Sequence, residues 1–115
     1  MFGRAETPIL RAVVVDLSSL LDQIETALED RGDVESIERT LTDGYAYALE
    51  LEGERWRLER KIGEVARLLG GGDTAGRAAE LSALAQRLER ADGDLTELRR
   101  HLTTLRRHAD SVRAA

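Results

Sequence analysis

Two long stretches of this chain set aliphatic or small residues alternately three and four positions apart, and that rhythm limits the fold more than any other feature. The first stretch runs Val34, Ile37, Leu41, Gly44, Ala48, Leu51, Arg55, Leu58, Ile62, Val65 and Leu69. The second runs Leu81, Leu84, Leu88, Ala91, Leu95, Leu98, Leu102, Leu105, Ala109 and Val112. A 3-4 alternation averages 3.5 residues, which keeps one seam turned toward a neighbouring helix in a left-handed supercoil. Both stretches therefore read as helices that pack on one another.

Glycine and proline set the punctuation. Thr7-Pro8 suits a helix start, because threonine can cap and proline fits the first turn. Arg31-Gly32-Asp33 reads as a tight turn, with Gly32 ending one helix and Asp33 capping the next. Gly70-Gly71-Gly72-Asp73-Thr74 reads as a second turn, with Asp73 or Thr74 as cap. The result is one helical domain over residues 1–115, with helices at 8–30, 34–69 and 74–113 and turns at 31–33 and 70–73. At 1.5 Å per residue the helices span about 35, 54 and 60 Å. The segment Ala12–Leu17 resembles a buried strand, but no second strand-like run exists to pair with it. The expected fold is all-α: a three-helix up-down bundle in which the two long helices form an antiparallel coiled-coil hairpin.

Folding at the glycine turn pairs residues whose numbers sum to about 146, from the positions of the two seams. Gly44 then faces the large Leu102, and Arg55, a charge at a seam position, faces the small Ala91. Asp92 and Asp94 flank Ala91, and Glu52 and Glu59 lie one turn away on the helix of Arg55, so the Arg55 stem can extend over Ala91 and reach an acid at the seam's rim. A polar residue at one seam position fixes register at some cost in stability. The first helix carries a broader apolar face, Leu10, Val13, Val14, Leu17, Leu20, Leu21, Ile24, Ala27 and Leu28, as a helix needs when it packs on two neighbours. The turn at Gly32 is expected to lay it on Tyr45, Leu49 and Trp56. Residues 58–90 are left as a two-helix arm. Tyr47 and Leu68, on the flank of the second helix away from Tyr45, remain as a candidate partner-binding surface.

Composition removes several classes of function. No run of about 18 apolar residues exists to span a membrane, and the first residues lack a secretory pattern, so the chain reads as cytoplasmic. There is no cysteine, hence no disulfide framework or thiolate chemistry. His101 and His108 are seven apart, about 10 Å along a helix, too far for a shared metal. The glycine run lacks the Lys-Ser or Lys-Thr of a phosphate loop. The serines have no general base at a telling spacing. Arg31-Gly32-Asp33 matches an adhesion tripeptide by chance length alone. No enzyme activity, cofactor, metal or small-molecule substrate is expected.

Charge is unevenly spread within the net −5. Residues 16–38 hold eight acids against Arg31 alone, for −7, whereas residues 99–115 hold five arginines against Asp110, for +4. The hairpin register brings these two segments to one end of the bundle, where they can offset one another. The sequence thus points to a non-enzymatic protein-protein interaction module, an adaptor, scaffold or assembly subunit, with a protein partner or a homodimer. The alternative is a nucleic-acid-associated or regulatory protein that binds polyanions through Arg99, Arg100, Arg106 and Arg107. No aromatic residue follows Leu58, so that end offers no base-stacking platform.

Overall fold

The structure, a computed structural model, describes residues 16–29 and 33–114. It is all-α: α1 spans Leu17–Glu29, α2 spans Val34–Arg67, a single 3-10 turn covers Leu69–Gly71, and α3 spans Thr74–Ala114. No strand occurs among the described residues. The predicted starts at 34 and 74 are met. Thr7-Pro8, Leu10, Val13, Val14 and Arg31-Gly32 lie outside the described residues.

Each helix begins at an aspartate, and the reason is the same in all three cases. A short carboxylate just before the first turn accepts a bond from one of the orphan amides there. Ser19 N–H donates to Asp16 Oδ1 at 2.8 Å, Ser36 N–H to Asp33 Oδ1 at 3.1 Å, and Gly76 N–H to Asp73 Oδ1 at 3.3 Å. Asp16 itself is outside the helix, which corrects the expected continuous helix over 8–30: α1 starts at Leu17. At the second turn α2 stops at Arg67, two residues early, because Leu68 N–H and Gly71 N–H switch to i−3 carbonyls at 3.0 and 3.1 Å. Gly72 then takes φ +105°, a region closed to most side chains.

The chain divides into two compact units. The first comprises residues up to 50 together with those from 97 onward, and the second is Leu51–Thr96. In the first unit all three helices supply core: Leu20, Ile24 and Ala27 from α1, Ile37, Leu41 and Ala48 from α2, and Leu98, Leu102, Leu105 and Ala109 from α3. A Cβ added to Gly44 would overlap the Leu102 side chain, which places these two residues face to face as the register of 146 requires. In the second unit α2 and α3 pack as a two-helix hairpin, with Leu58, Val65, Leu84 and Ala91 buried and Ile62, Leu81 and Leu88 against them. Every seam position named from the sequence is buried or half-buried.

Arg55 is half-buried in the second unit and Ala91 beside its expected position is buried. Arg55 Nη1 donates to Asp92 Oδ1 at 3.1 Å, and Arg87 Nη2 lies 3.8 Å from Glu54 Oε2 on the same pair of helices. Both members of the first pair keep about half their side-chain surface in water, 41% and 50%, so the pair is worth ~0.2–1 kcal/mol. Asp92→Ala is therefore expected to cost less than about 1 kcal/mol in urea unfolding. Arg55→Leu, which exchanges a solvated charge for apolar contact with Ala91, is expected to be neutral or stabilising by up to about 1 kcal/mol. A loss above about 2 kcal/mol for either variant would show that the charge does more than mark the register.

Candidate interaction surface

The first unit shows which flank of α2 receives α1. Asp22, Gln23, Thr26 and Ala27 of α1 share a shallow groove with Ser36 and Thr40 of α2. Tyr47, seven residues beyond Thr40 and so on the same face of the helix, is half-buried and engaged rather than exposed. Tyr45 and Leu49 are 45% and 68% exposed. This reverses the expected arrangement, in which α1 covered Tyr45 and Leu49 and left Tyr47 open. The reason lies in α3. Its Arg106 Nη1 donates to Tyr45 Oη at 3.4 Å, and its Arg113 pairs with Glu38, so arginine side chains already line the Tyr45 flank. The Ser36/Thr40 flank carries short side chains and lets α1 come close.

The exposed flank has a defined chemistry. Tyr45 and Leu49 sit at i and i+4 on α2, one above the other. Arg99, Arg106 and Arg113 repeat every seven residues on α3 and so share one face of that helix, about 10 Å apart along its axis. By the register that sets Gly44 against Leu102, Arg99 stands near the level of Leu49. Arg106 also lies 3.8 Å from Asp110 through its Nε, and Arg113 lies 3.4 Å from the same carboxylate. The Arg113–Glu38 pair joins the arginine-rich end to the acidic cluster, as the charge pattern predicts.

The four arginines of the polyanion reading fall on two faces. Arg99 and Arg106 belong to the Tyr45 flank. Arg100 and Arg107 form a second, outward row; both are exposed, with no ion partner among the described residues. The neighbouring hydroxyls turn back onto their own helix: Thr103 and Thr104 Oγ1 donate to the carbonyls of Arg99 and Arg100 at 3.0 and 3.2 Å. They are therefore committed to the helix backbone. His101 and His108 are half-buried, and His101 Nδ1–H donates to the Glu97 carbonyl at 2.9 Å.

In the second unit Leu68 is 52% exposed at the end of α2, where the sequence placed it. Trp56 is also exposed there, with the Arg60 guanidinium 4.8 Å above its ring. Leu10, the expected neighbour of Trp56, lies outside the described residues. Among the described residues no helix is long and apolar enough to cross a membrane, and no cluster of three metal-type side chains occurs. Comparisons of the chain with protein-family models, with curated proteins and with solved structures return no match.

Proposed function

We propose that the protein is a non-enzymatic coiled-coil interaction module, an adaptor, scaffold or assembly subunit of the cytoplasm. The observation that carries this reading is the flank of the first unit on which Tyr45 and Leu49 remain exposed beside an arginine row. Every other large apolar residue described in that unit is buried or half-buried. The chain sorts its side chains well, so two large apolar residues left together on one helix face mark a surface that another molecule covers. The heptad seams supply a stiff support for such a surface, and the charged outer faces keep it soluble.

The test uses the surface pair. Tyr45→Asp with Leu49→Asp is expected to leave the thermal midpoint within a few degrees of the parent, since both side chains are exposed. The same double variant is expected to lose at least about tenfold in recovery of whatever partner the parent chain captures from its native cell extract. Equal recovery by parent and variant would remove this surface from the function.

A further inference from the structure

We draw no further inference here: the strongest candidate, the face of the second unit on which exposed Ala66 of α2 and Ala78 and Ala85 of α3 border the half-buried Ile62, Leu81 and Leu88, carries nothing because nothing in the structure shows what covers it.

Discussion

Leu95→Asp is expected to abolish the cooperative fold, or to lower its thermal midpoint by on the order of 20 °C. Leu95 is 1% exposed, at the seam of α3. The variant loses the transfer energy of a buried leucine, ~1.5–3 kcal/mol. It also forces a carboxylate either to ionise without a partner or to stay protonated far above its usual range, a further penalty of several kcal/mol. The sum approaches the whole stability of a chain this size, ~6–15 kcal/mol. Leu95→Ala is expected to cost only about 2–4 kcal/mol, because the cavity term replaces the charge term. Leu68→Asp carries the same chemical change at a 52% exposed site, and should cost under about 0.5 kcal/mol. Helicity and thermal melts of the three variants check the ordering. Near-equal loss for Leu95→Asp and Leu68→Asp would contradict the seam itself.

That contrast shows what could be read from the chain and what could not. The seam is legible because it is overdetermined: some twenty positions hold one period, and a slip by one residue would bring charge into the interior. The facing of Gly44 and Leu102 and the reach of Arg55 to an acid at the seam's rim follow from the register alone; that the acid is Asp92 is seen only in the structure. The seat of α1 does not. An antiparallel pair offers two flanks, and apolarity favoured the one with Tyr45 and Leu49. The structure puts α1 on Ser36 and Thr40 instead, because Arg106 and Arg113 occupy the first flank and short side chains line the second. Hydrophobic pattern counts what a side chain would gain by burial and does not register which neighbour already lies beside it. The pattern is silent on exposure for that reason: Leu68, Tyr45 and Leu49 stand exposed while Tyr47 is half-buried. Asp16 was a plainer omission. It interrupts the apolar run before Leu17 and is followed by Ser18-Ser19, a capping signal that a period count passes over.

The contact of Gly44 with Leu102 yields the second large expectation, a coupling between two substitutions. Gly44→Ala alone sets two effects against each other. Alanine gains ~1 kcal/mol of helix propensity over glycine. Its Cβ, however, would overlap the end of the Leu102 side chain, and Leu102 is buried, 2% exposed. Overpacking of this kind costs ~1–3 kcal/mol, so the single variant should come out between neutral and destabilised by about 2 kcal/mol. Leu102→Ala alone removes the side chain that fills the space over a residue with none, and should cost about 3–5 kcal/mol, toward the upper part of the usual range. Together the two changes relieve each other. The alanine methyl enters the space left by the leucine, the overlap disappears and the helix propensity gain remains. The double variant is then expected to be more stable than Leu102→Ala alone, and the cycle should close with a favourable coupling of about 2 kcal/mol. Urea unfolding of the four proteins measures it. Additive losses would mean that Gly44 and Leu102 do not face one another, and with that the register joining α2 to α3 in the first unit would fail.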